Sequence, residues 1–173
     1  MMDKTTQFET ERLFIKPTTI EDASLIYELL NMPKWIKYIG KRDVNSIADA
    51  ENYIKEKMLP QFEKLGYSNN TVIRKSDNKK IGTCGLYSRD GIDGVDIGFA
   101  FLPQYEKKGY AFESANKLIE IAKTDYEIAK ISAITTEENT ASQKLIEKLG
   151  LTFTKMITIP NDDATLMLFE VEL

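Results

Sequence analysis

The chain has 173 residues, 42% of them hydrophobic, which is one domain's worth of length with enough apolar material for a packed core, so disorder as the main state is excluded. With 23 basic against 27 acidic side chains the net charge is −4, and such a balance argues against a dedicated binder of nucleic acid or of anionic membrane. Histidine is absent, which rules out Ser-His-Asp and Cys-His nucleophiles and His-containing zinc sites, and leaves proton transfer to carboxylates, tyrosine, lysine, hydroxyls or water.

Glu11 to Pro17 reads as a short strand closed by proline. A helix follows: Thr19 offers a hydroxyl cap with the Asp22 carboxylate three residues on, and Ile26, Leu29 and Leu30 mark one face. Met32-Pro33 is predicted to end it. Ser46 with Asp49 repeats the capping pattern, and Ile47, Ala50, Ile54 and Met58 recur at helical spacing until Pro60 disturbs the segment; Phe62 and Leu65 extend the face to a turn at Gly66. From Tyr67 the period changes to that of strands. Ser68 to Arg74 and Lys80 to Ser88 form a predicted hairpin around the polar turn at 76–79. Val95 to Leu102 is a third strand ending at Pro103, after turns rich in Gly and Asp. A helix of about Gly109 to Lys123, a strand Ile128 to Thr136, a helix Asn139 to Leu149 stopped by Gly150, and two strands, Leu151 to Ile159 and Ala164 to Glu172, complete the chain. The expected architecture is one α+β domain over 1–173, antiparallel strands first and a strand-helix-strand-helix-strand half afterwards.

One stretch concentrates chemistry. Between Asp96 and Ala111 a strand runs into a loop bearing Lys107 and Lys108, and Gly109 sits where a helix opens. Unpaired N–H groups and the positive end of the helix dipole leave that first turn, so a phosphate or pyrophosphate is its natural guest. On local evidence alone a solvated lysine loop explains the same residues. Cys84, between Gly82 and Gly85, has no base beside it in the sequence and reads as a small buried hydrophobe. A single cysteine makes neither an internal disulfide nor a multi-thiolate cluster, so no metal and a reducing setting are expected. No run of about 18 apolar residues occurs, and the polar start at Met1 to Thr5 lacks a secretory pattern; a cytoplasmic location without membrane association is the expectation.

The order of these landmarks resembles the GCN5-related N-acetyltransferase (GNAT) superfamily, and within it the ribosomal-protein alanine acetyltransferase-like branch. Thr10-Glu11-Arg12-Leu13-Phe14-Ile15-Lys16-Pro17 with Glu21-Asp22-Ala23 is similar to that branch's opening. Asp96-Ile97-Gly98-Phe99 is similar to its substrate-side strand, and Lys108 to Ala115 to its acetyl-CoA loop and helix. Glu138 to Gly150 is similar to its Asn-x-x-Ser segment, here Asn139 and Ser142, with the turn at Lys148-Leu149-Gly150.

The resemblance implies a mixed, mostly antiparallel sheet of about seven strands with helices on both faces and a splayed parallel pair as the cofactor cleft. It implies acetyl-CoA as co-substrate, with its pyrophosphate on the amides around Lys107, Lys108, Gly109, Tyr110 and Ala111. The pantetheine arm would pair with the backbone of Phe99, Ala100, Phe101 and Leu102 as an added strand does. Asn139 and Ser142 would stand beside the pantetheine and the thioester, although Asn139 serves equally as a helix cap. Asp96 is the favoured base, acting through water, with Asp93 as the fallback, and Ser142 the residue to bond the sulfur. Trp35 and Tyr38 would line the side of the amine together with Tyr87 and Asp96, while Arg42 and Arg89 are further candidates; Trp35 reads equally well as an anchor for its own segment.

Two departures stand out. Glu106 takes a place where the superfamily usually has Arg or Gln, so its carboxylate should face solvent or pair with a lysine. Ile146 takes the place of a tyrosine that protonates the departing thiolate. The implied activity is acetyl transfer from acetyl-CoA to a primary amine, either a protein N-terminus or a small molecule, and family habit allows a homodimer. A CoA-binding regulatory module without turnover is the alternative. A doubly wound nucleotide-binding protein fits less well, because Arg12 to Glu21 contains no glycine.

Overall fold

The computed structural model describes residues 7–173; the polar start at Met1 to Thr5 lies outside them. In chain order the elements are β1 (Phe8–Glu9), β2 (Leu13–Pro17), a 3-10 turn (Ile20–Asp22), α1 (Ala23–Leu30), α2 (Pro33–Tyr38), α3 (Ile47–Lys57), α4 (Leu59–Leu65), β3 (Asn69–Arg74) and β4 (Lys79–Ser88). The second half holds β5 (Val95–Phe101), a 3-10 turn (Pro103–Tyr105), α5 (Tyr110–Thr124), β6 (Lys130–Thr135), α6 (Thr140–Lys148), β7 (Thr152–Ile157) and β8 (Leu166–Glu172).

The strands make one eight-stranded sheet in the order β1-β2-β3-β4-β5-β6-β8-β7, antiparallel throughout except for β5 and β6. Eight strands agree with the expected sheet of about seven, the additional one being the two-residue β1, which pairs with β2, Phe8 opposite Ile15. That segment is too short to show an alternation in sequence. Pro33 lies just past the end of α1, as expected, and has a second role. It does not merely stop α1 but opens α2 as an early helical residue, a position where its missing N–H costs nothing and its fixed φ suits the helix. The helix starts otherwise follow the capping signals. Asp22 Oδ2 accepts the Thr19 N–H at 3.0 Å while Thr19 Oγ1 accepts the Glu21 N–H at 3.3 Å, and Ser46 Oγ accepts the Asp49 N–H at 3.0 Å. Gly66, at φ +85°, closes α4 in the left-handed conformation that glycine adopts without penalty.

The two faces of the sheet differ in chemistry. Leu13, Ile15, Val72, Cys84, Leu86, Val95, Ile97, Ile131 and Phe169 point to one face and pack with Leu118 and Ile121 of α5 and Ile146 of α6. Helices α1 to α4 cover the opposite face around Ala23, Ile26, Leu30, Ala50 and Ile54. By strand register that second face carries Asn69, Thr71, Thr83, Tyr87, Asp96 and Ser132, all buried except the half-buried Tyr87. One side of the sheet is therefore a hydrocarbon core and the other a polar floor.

Candidate active site

The floor meets an opening between β5 and β6. These parallel strands pair only at Val95 with Ile131 and Asp96 with Ser132, although β5 runs on to Phe101 and β6 to Thr135. Past Asp96 they diverge, so the β5 backbone through Phe99 and Ala100 is paired with β4 on one side and not with β6 on the other. Unmade ladder bonds of this kind are a template for an extended ligand.

At the far end of β5 lies the loop of Lys107, Lys108 and Gly109. Lys107 (φ +61°) and Gly109 (φ +82°) both take left-handed backbone, and Gly109 caps α5 without a side chain. Backbone bonds resume with the Glu113 N–H to the Gly109 carbonyl at 3.0 Å, and the amides of residues 107–112 donate to no protein acceptor among the described residues. Lys107, Lys108 and Gly109 are exposed, whereas Tyr110 is buried in the core.

Arg12, quoted above only as part of an opening motif, holds this loop. Its Nε and Nη2 both lie 2.7 Å from Glu113 Oε2, its Nη1 donates to the Lys108 carbonyl at 3.0 Å, and its guanidinium lies 4.4 Å from the centre of the Tyr110 ring. Thr10 Oγ1 and the Arg12 N–H donate to Glu113 Oε1 at 2.6 and 2.9 Å. Burial alone would raise the Glu113 pKa, but these donors outweigh it and hold the carboxyl below its usual range. No spacing rule connects residues 101 apart, so the clasp is visible only once the chain is folded. Glu106 meets the expected lysine: Lys34 Nζ of α2 stands 2.7 Å from its Oε2 and ties the loop to the helical layer.

Asp96 sits at the point of the fork, 1% exposed. Arg89 Nε approaches its Oδ2 at 3.2 Å and its Oδ1 at 3.4 Å. Burial raises the Asp96 pKa and is only partly offset by the Arg89 charge and hydrogen bonds, so the carboxyl stays above the usual aspartate value. Ser132, its partner across the fork, is buried with a hydroxyl that finds no protein partner. Asp93 is exposed on the preceding turn.

The Tyr87 ring lies over a glycine pair. A methyl group on Gly85 would fall 2.6 Å from its Oη, and one on Gly98 3.0 Å from its Cε2. Only glycine leaves room for the ring there. Gln61 of α4 fixes the strand beneath, donating to the Tyr67 and Leu86 carbonyls at 2.8 and 2.9 Å and accepting the Ser88 N–H at 3.0 Å.

Asn139 caps α6, its Oδ1 accepting the Ser142 N–H at 3.3 Å. Both residues are half-buried, and the Ile146 side chain below them belongs to the core. Trp35 packs on both apolar clusters beneath α1, as an anchor for α2 does, with Tyr38 half-buried at the end of the same helix. Arg42 is exposed between α2 and α3. Cys84 is fully buried, and burial pushes its thiol up to about 12, which leaves it unreactive. Among the described residues no group of three or more Cys, Asp or Glu side chains is placed to hold a metal, and no helix is long and apolar enough to cross a membrane.

Comparison with known proteins agrees with this arrangement. The family described as "Acetyltransferase (GNAT) domain" matches residues 12–152. An uncharacterized N-acetyltransferase, p20, of Bacillus licheniformis is 30% identical over 143 residues, covering 82% of this chain and 79% of the relative. A GNAT-family acetyltransferase structure from Bacillus anthracis superposes with a TM-score of 0.77 at 24% identity, covering 97% of this chain and 98% of that one. The ribosomal-protein-S5-alanine acetyltransferase of Vibrio fischeri does so with a TM-score of 0.79 at 18% identity, covering 96% of each chain. At those identities the two structures speak for the fold.

Proposed function

The chain belongs to the GNAT acetyltransferase family, and on that premise we propose that its 173 residues form one unit that moves the acetyl group of acetyl-CoA directly to a primary amine. The acceptor is a protein N-terminus or a small amine. The observation that carries this reading is the continuity of three features: the free amides of residues 107–112, the unpaired edge of β5, and Asp96 at the fork.

Each feature has its task. A diphosphate fits the amides of Lys107 to Ala111, with the Lys107 and Lys108 charges in reserve. The pantetheine amides continue the β5 ladder along Phe99 to Leu102 and bring the thioester to the fork, beside Asn139 and Ser142. An incoming ammonium must lose a proton before its lone pair attacks the thioester carbon. Asp96 takes that proton through a water, and its raised pKa makes it a better base than a surface aspartate. The new C–N bond forms as the C–S bond breaks, and the Ser142 hydroxyl donates to the departing sulfur. Tyr87, Trp35 and Tyr38 bound the space for the amine. Ile146 carries no proton, so the thiolate is protonated by solvent.

The test is thiol release across a panel of primary amines, with Asp96→Asn as control. Amine-dependent release that the variant loses supports the transferase. Tight acetyl-CoA binding without release from any amine favours the regulatory module, a reading to which the core position of Ile146 lends weight.

A further inference from the structure

The floor holds a chain of polar side chains that runs inward from Tyr87, and the chemistry above uses none of them beyond Tyr87 itself. Tyr87 Oη bonds Asn69 Oδ1; Asn69 Nδ2 lies 2.9 Å from Thr18 Oγ1; Thr18 Oγ1 lies 3.0 Å from Thr71 Oγ1; and Thr71 Oγ1 lies 2.9 Å from Asp22 Oδ2. Asp22 also pairs through Oδ1 with Lys80 Nζ at 2.7 Å. Thr18, Asn69, Thr71 and Asp22 are each at most 4% exposed, so water cannot substitute for a missing partner.

The direction of every proton in this chain follows from its end. A carboxylate paired with a lysine only accepts, so the Thr71 hydroxyl donates to Asp22. Its one proton is then spent, and Thr18 must donate to Thr71. Thr18 has no proton left for Asn69, so the Asn69 amide group donates to Thr18 and turns its carbonyl oxygen to Tyr87. Tyr87 in turn donates to Asn69. Its phenolic proton is thereby directed into the protein, and the free lone pairs of Oη can only accept. An amide in the middle does not pass protons along, so the chain fixes orientation and is no proton channel.

We propose that Tyr87 is an obligate hydrogen-bond acceptor for the N–H of the incoming amine, its polarity set at a distance by the one-way relay Asn69–Thr18–Thr71–Asp22. The inference rests on the acetyltransferase reading and adds a specificity element to it. Tyr87 and Asp96, directly opposed across β4 and β5, then both offer acceptors to a cationic primary amine and neither offers a donor, the cation beside them, Arg89, being paired with Asp96. The relay also removes Tyr87 as the acid for the thiolate. Burial, which raises the phenol's pKa, acts in the same sense by making its proton harder to release.

Thr71→Val keeps the shape and removes the hydroxyl three bonds away from Tyr87. Thr18 is then free to donate to Asn69, the amide can turn over, and Tyr87 loses its fixed polarity. The probes are alaninamide, an alanine-headed tetrapeptide and 1,4-diaminobutane. For each one turned over, Thr71→Val and Tyr87→Phe should raise the amine KM about tenfold and leave the acetyl-CoA KM within twofold. Thr71→Ser should restore the wild-type value, and Thr71→Val added to Tyr87→Phe should have no further effect, because both act through one bond. By NMR the Asn69 side-chain amide protons should show stronger contacts to Thr18 than to the Tyr87 ring in the wild type. That readout needs no substrate. The inference is overturned by the reverse contact pattern, by wild-type amine KM in both single variants, or by additive losses in the double variant. Absence of acetyl-CoA binding to the wild-type protein in calorimetry would instead remove the transferase reading and leave the NMR result to judge the relay alone.

Discussion

Replacing Arg12 with alanine removes the clasp on the loop of Lys107, Lys108 and Gly109 in one step, and the geometry allows its cost to be added up. The Arg12 and Glu113 side chains are 43% and 19% exposed, so their forked pair is partly screened and contributes about 0.5–1 kcal/mol. The bond to the Lys108 carbonyl contributes about 1 kcal/mol and the guanidinium on the Tyr110 ring about 0.5–1 kcal/mol. Together these make about 2–3 kcal/mol of local restraint on a loop that holds two residues at positive φ. Binding must restore the loop in the variant, so part of that sum appears as lost affinity. We expect Kd for CoA to rise about tenfold, equal to about 1.4 kcal/mol. Titration calorimetry with CoA reads the effect directly. Arg12→Lys should stay close to alanine, because an ammonium cannot reproduce the fork. A Kd within twofold of wild type for Arg12→Ala, together with a lowered Tm, would mean that the loop holds its shape without the clasp and would overturn this expectation.

Three further expectations follow from the same geometry. Asp96 titrates above the usual aspartate value because it is buried, so the transfer rate should fall as pH drops through that raised pKa. Its folded pKa exceeds its unfolded one of about 3.9, so the native state binds the extra proton and stability declines as pH rises between the two values. Asp96→Asn should therefore lose activity while melting no lower than wild type at neutral pH; a large fall in Tm would show that the Arg89 pair outweighs the burial. Glu113 has the opposite sign: its stabilisation is complete above the unfolded glutamate value of about 4.3 and is lost as pH falls through its depressed folded pKa. Urea melts across the acid range should show that loss in the wild type and less of it in Glu113→Gln. Gly109→Ala puts a methyl 3.2 Å from Arg12 Nη2 at φ +82°, which should cost about 1–3 kcal/mol of strain and weaken CoA binding by calorimetry, whereas unchanged affinity would separate the loop from the cofactor.

Local signals in the sequence reached as far as local physics does. Thr19 with Asp22, Ser46 with Asp49 and Asn139 ahead of α6 announced helix starts, because a cap is formed by residues within one turn of each other. The change of period at Tyr67 and the turn residues between segments announced β3 to β8, and the Gly109 turn with its lysines stood out from its surroundings. Pro33 marked the end of α1 but not the start of α2, since the same residue type closes one helix and opens the next. The two-residue β1 is held by pairing alone. What stayed illegible is the connection between distant residues. Arg12 with Glu113, Arg89 on Asp96, and the relay from Tyr87 to Asp22 join groups that meet only when separate strands and helices are stacked, and no periodicity records such a meeting.

A crystal structure of the protein grown with acetyl-CoA tests the loop, the β5 edge and the fork together. The diphosphate is expected on the amides of residues 107–111, the pantetheine along the unpaired edge of β5, and the thioester carbon at the fork beside Asp96. Density for the coenzyme elsewhere on the molecule, with β5 and β6 free of ligand, would contradict this placement.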